Sequence, residues 1–203
     1  MKAMIPGLLI LASVSGPSLS SGQAAPKTFP TPEQQIAVAV MAVPPNMQAG
    51  ATVMGWKTKG GKMEVLRQGT NGMICIAQFA VEPRFHVSCY HEGIEPFMLR
   101  GRQLREQGIT ASAQLDSVRY LEVSQGKIRM PGQAALYQIF GDSASWEPAN
   151  NALARTTSLF VIYIPGATEA SSGLPTRAPA NGGPWLMSPG TPKAHIMFTA
   201  TMR

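Results

Sequence analysis

The chain has 203 residues, of which 44% are apolar and only 14% charged. That length suits one domain with a core of its own and is short for two, and the composition excludes a solvated, disordered chain. Seventeen Lys and Arg against eleven Asp and Glu leave a formal charge of +6, but aromatic residues do not interleave with the basic ones, so no nucleic-acid partner is expected and the charge reads as a solvated basic surface.

Residues 1–24 have the order of a secretory signal peptide. Lys2 gives a positive start, 5–14 is an apolar segment, and Gly22, Gln23 and Ala24 form a small-x-small boundary before Ala25. Pro6, Gly7, Gly16 and Pro17 make the stretch a poor buried helix. The apolar run is shorter than the ~20 residues of a membrane span, so a single domain over 25–203 is expected, periplasmic or extracellular, with no transmembrane segment.

Thr31, Pro32, Glu33 and Gln34 form a helix-start signature, with Thr as N-cap and Pro at the first helical position. Ile36, Ala39, Val40 and Val43 share a face of that helix, and Pro44 and Pro45 stop it. A β meander follows, with strands over 51–56 and 63–68, a tight Gly69-Thr70-Asn71-Gly72 turn, a third strand over 73–77 and a fourth over 85–90. Cys75 and Cys89 fall in the last two of these. Two cysteines in an exported chain favour a disulfide, which closes a loop of about fifteen residues and stabilises by roughly 3 kcal/mol.

Glu95 and Pro96 open a second helix with Phe97, Met98, Gly101 and Leu104 on its apolar side, and Gly108 ends it. Residues 112–124 are predicted helical. Strands follow over 134–140 and 158–164, the second an unbroken apolar run expected at the centre of the sheet. In the last strand, 194–202, Ile196, Phe198, Ala200 and Met202 alternate with His195, Met197, Thr199 and Thr201. We assign the first set to the core and the second to the opposite face. Before this strand lies a loop, 165–193, with six Pro and five Gly in 29 residues. These elements predict an α+β fold: an antiparallel sheet of about six strands with helices packed on one face.

The block L-R-Q-G-T-N-G-M-I-C (66–75), with A-P-A-N-G-G-P-W (178–185) and A-H-I-M (194–197), resembles exported bacterial proteins of unassigned function. The resemblance implies export and a shared fold and carries no activity.

Three constellations bear on chemistry. His86, Cys89 and His91 have the residue types of a zinc or copper site. In a strand, however, the two histidines differ by an odd number and point to opposite faces, and the disulfide engages Cys89. No metal site and no cofactor are expected, and the twelve scattered methionines read as core filling. Gly141, Asp142 and Ser143, at a strand end, resemble the first block of the SGNH (GDS-type) esterases, which implies Ser143 as nucleophile and His195 as base with Asp142 or Glu147 nearby. In that family the block opens the domain, whereas here sixty residues follow Ser143, and the Asp that should precede the catalytic His is replaced by Pro192, Lys193 and Ala194. The same three residues also make a turn after a strand.

Finally, the long loop can carry Arg177 and Trp185 across the face that holds His195. An Arg, a Trp and a His converging there make a small-ligand or peptide site; the alternative is that Trp185 is packing. The sequence therefore points to an exported, non-catalytic binding or envelope-associated domain, whose partner is a small molecule or an envelope component. The alternative is a small exported serine hydrolase using Ser143 and His195.

Overall fold

A computed structural model describes residues 29–78, 84–142, 144–180 and 182–199. The signal-peptide segment, Ser143, Asn181 and the last alternating residues Ala200 to Met202 lie outside the described residues.

Thr31 caps α1 (Pro32–Ala39) as its sequence requires: its hydroxyl accepts from Gln34 N, and Gln34 Oε1 accepts from Thr31 N. This reciprocal pairing satisfies two of the donors a helix start leaves unbonded. A 3-10 turn (Val40–Ala42) and a short helix, α2 (Pro45–Gln48), lead into the strands β1 (Thr52–Gly55), β2 (Glu64–Arg67), β3 (Met73–Gln78) and β4 (Arg84–His91). Then come α3 (Glu95–Glu106), α4 (Ser112–Ser124) and β5 (Ala134–Asp142). A small hairpin, β6 (Trp146–Glu147) with β7 (Ala152–Leu153), precedes β8 (Thr157–Tyr163), α5 (Glu169–Ser172), β9 (Trp185–Met187) and β10 (His195–Thr199).

The chain is α+β, but its sheet corrects the expectation of about six antiparallel strands. Eight strands run in the order β2-β1-β3-β4-β5-β8-β10-β9. β1 and β3 are parallel, so the sheet is mixed. The first strands are not a meander, because β1 lies between β2 and β3 and the 68–72 connection crosses its start. The crossing is held by the Gly50 carbonyl, which accepts from Thr70 N at 2.7 Å and Asn71 N at 3.1 Å. A Cβ on Gly69 would sit 2.3 Å from Gly50 O and from Thr52 N, so the close approach requires glycine. The Gly69–Gly72 stretch was legible as a turn; which strands it joined across was not.

Nor do the helices pack on one face. Val38 and Ala39 of α1 pack with Val53, Cys75, Val87 and Cys89 on the first face. Ile94, just ahead of α3, and Met98 within it pack with Ile76, Tyr90, Leu136 and Val161 on the second. Successive residues of one strand point to opposite faces, and Cys75 and Ile76 belong to opposite sides. Cys75 and Cys89 pair directly across β3 and β4 and form the expected disulfide beneath α1.

Cover on the two faces is uneven. One cross-sheet row on the first face runs Val53, Cys75, Cys89, Tyr137, Phe160, Phe198. Its first half is buried under α1, while Phe160 and its neighbour Ile162 are each 37% exposed. β8, expected at the centre of the sheet, is sixth in the strand order and covered on one face.

The assignment of β10 is reversed for the same reason. Met197 packs into the second-face core with Val161 and Tyr163, and His195 is buried, whereas Ile196 and Phe198 are only half-buried. Both sets are apolar enough for either side, and the position of the helices decides.

Candidate ligand-binding site

The loop expected to fold across β10 instead adds an edge strand. In β9, Met187 pairs with His195 and Trp185 with Met197. Directly opposed residues share a face, so Trp185 and His195 stand on the second face, two rungs apart. The run Trp185-Leu186-Met187 was hidden in the sequence by its Pro and Gly neighbours. Arg177 is exposed in a bend between α5 and β9 and has no hydrogen bond or ion pair among the described residues. The segment before it is anchored by Leu186 N donating to Pro175 O at 2.8 Å, which sets Arg177 beside the sheet edge.

His195 is opposite Tyr163 of β8, with ring centroids 5.3 Å apart. Its Nδ1 lies 2.6 Å from the Lys193 carbonyl oxygen. A carbonyl only accepts, so Nδ1 carries the proton and Nε2 presents a lone pair. Nε2 has no partner among the described residues. Burial, ahead of the nearby Lys193 charge, holds the imidazole pKa below its ordinary value. His195 is thus a neutral acceptor at physiological pH.

Lys193 ties this strand start to α4. Its Nζ donates to Asp116 Oδ2 at 3.0 Å, and Asp116 Oδ1 pairs with Arg119 one turn along the helix. The Arg119 guanidinium lies 3.9 Å over the Phe97 ring. The i,i+3 spacing of Asp116 and Arg119 was visible in the sequence as a helix-surface pair; that it would be roofed by α3 and joined by Lys193 was not.

Asp142 and His195 do not converge. Asp142, next to Ser143, ends β5, while Ala134 at the other end of that strand is level with Tyr163 and hence with His195. Nine residues of strand separate the two ends, ~26 Å at about 3.3 Å per step. Asp142 instead builds a turn: its Oδ1 accepts from Ala144 N at 2.8 Å and its carbonyl accepts from Ser145 N at 3.0 Å. Glu147 lies in β6, beyond that turn.

The histidines of the middle strand are also apart. His86 stacks on Phe140 at 4.5 Å on the second face. His91 is exposed at the end of β4, where its Nδ1 accepts from Gly93 N at 3.1 Å. Among the described residues, no three His, Cys, Asp or Glu side chains gather as metal ligands, and no helix is long and apolar enough to cross a membrane.

No protein-family model matches the chain, and no match is found among curated proteins or solved structures. The site stands on its geometry alone.

Proposed function

We propose that the protein is exported and acts as a non-catalytic binding domain, with its ligand seated at the β8–β10–β9 corner of the second face. The observation that carries this reading is His195: buried, neutral, oriented by the Lys193 carbonyl and with no partner for Nε2 among the described residues, on the same face as Trp185. A fixed acceptor beside a half-buried aromatic at an open sheet edge suits a small molecule or envelope component with one polar and one apolar part. Arg177, at the same edge, is available to an anionic part of that ligand. The buried disulfide fits an oxidising compartment.

The test is a thermal-shift screen of protein recovered from the exported fraction, with metals, lipids and chromogenic esters included. Mass analysis of that protein should give a chain beginning near Ala25. A stabilising compound should lose its effect in His195→Ala or Trp185→Ala while each variant stays folded. Turnover of an ester that depends on Ser143 would replace this reading with the hydrolase one. Unfolding of Trp185→Ala, at the ~3–5 kcal/mol of a buried core aromatic, would make the edge strand structural.

A further inference from the structure

The helices that roof this corner carry more donors than acceptors. Gly101 stands inside α3, where glycine is a poorer helix former than alanine. A Cβ there would lie 3.1 Å from Arg119 Nη1 and 3.5 Å from Arg105 Nη1. The missing methyl thus leaves two guanidinium groups facing one small space.

Their neighbourhood does not neutralise them. Asp116 is shared between Arg119 and Lys193. Of the other carboxylates on these helices, Glu95 is held by Arg102 and Glu122 by Arg100, while Glu106 is exposed and has no partner among the described residues. Among the described residues, Arg105 has only the Gly101 carbonyl as acceptor, at 3.2 Å.

Two further donors are unused. Arg119 is 7% exposed, and its Nε is buried without a partner among the described residues. The Tyr163 hydroxyl makes no hydrogen bond among the described residues either, although it is not fully enclosed, and Tyr163 senses the charges of Arg119 and Asp116. Leaving a buried donor such as Arg119 Nε unmade is costly, and the group that relieves it is an acceptor.

We propose that this corner binds an oxyanion, the phosphate or carboxylate group of a small molecule, between Arg105 and Arg119, with the Tyr163 hydroxyl and the Lys193 ammonium as further donors. The inference deepens the binding reading above by naming the ligand's charged part, and it rests on that reading only in supposing that this corner takes a ligand. Guanidinium groups suit it because their N–H forks match planar or tetrahedral oxyanions. The unfavourable mutual field of Arg105 and Arg119 is relieved when the anion enters.

The experiment is a titration of the purified protein with inorganic phosphate and, separately, with acetate, followed by the side-chain Nε–Hε resonances of Arg105 and Arg119. A saturable shift of both is expected with at least one anion, and the arm that saturates at lower concentration identifies the phosphate or the carboxylate. Arg105→Gln and Tyr163→Phe remove one exposed charge and one hydroxyl, so both should fold, and each should weaken binding about tenfold. Saturation that ignores both substitutions, or no saturation with either anion at millimolar concentration, overturns the proposal. An anion response unchanged in Trp185→Ala and His195→Ala supports the oxyanion site while removing the Trp185–His195 wall. A screen compound that needs Trp185 and His195, in a protein blind to both anions, does the reverse.

Discussion

His86 shows how a residue's environment turns into a pH dependence. It is enclosed on the second face, where Gln138 Nε2 lies 3.1 Å from its Nε2. An amide nitrogen only donates, so the imidazole accepts there and is neutral. Burial lowers its pKa from 6.5 to about 4. Because the folded state resists the proton more than the unfolded chain does, this stabilisation is complete above pH 6.5. It is lost as pH falls towards 4, a total of about 3 kcal/mol. Denaturant unfolding at intervals through that window should show stability falling with acid, and His86→Gln should flatten the fall. The slope persists in part, because burial shifts His195 in the same direction. An NMR titration placing the His86 pKa near 6.5 would remove the effect.

At the scale of elements, the crossing of β1 by the 68–72 connection places β3 on the side of β1 away from β2 and parallel to it. Asn71 braces it, its Nδ2 donating to Met47 O at 2.7 Å and its Oδ1 accepting from Met73 N at 3.1 Å. Gly69 is the point of closest approach, and backbone atoms cannot yield to a methyl as a flexible side chain can. Gly69→Ala should therefore destabilise by at least about 2 kcal/mol, whereas Gly132→Ala, with nothing near its added Cβ, should stay within about 0.5 kcal/mol. Paired unfolding curves check this, and equal effects would mean that the crossing loosens freely. On the other side of α1, the buried Gln35 amide donates to Pro30 O and Trp56 O and accepts from Trp56 N. That clamp lets a polar residue stand on the buried face of α1 beside Val38 and Ala39.

For the whole molecule, one staple and one core on each side of the sheet share the task of stability. The disulfide joins strands that already pair, fourteen positions apart in sequence, so its effect lies largely in restricting the unfolded chain, roughly 3 kcal/mol. Reduction should lower the melting temperature without changing the circular dichroism of the folded state at low temperature. Loss of native structure on reduction at that temperature would mean that the first-face core under α1 cannot stand alone.

Capping, turn chemistry and period carried much of the fold. Thr31 and Gln34 announce α1, Glu95 and Pro96 announce α3, and Cys75 and Cys89 sit at matching heights of two legible strands, because these signals act over a few residues. What they do not encode is which neighbour a strand chooses or which of its faces a helix covers. Those choices depend on contacts between distant segments, each with apolar residues to spare on both sides. So β1 lies between β2 and β3 with no local signal for it, the Pro and Gly around β9 mark that strand as loop, and β10 carries apolar residues on both faces. The site divides in the same way. His195 and Trp185 were visible as candidates, but the neutral imidazole and the donor-rich corner of Arg105, Arg119 and Tyr163 exist only once two helices close over the end of the sheet, where burial and proximity set their chemistry.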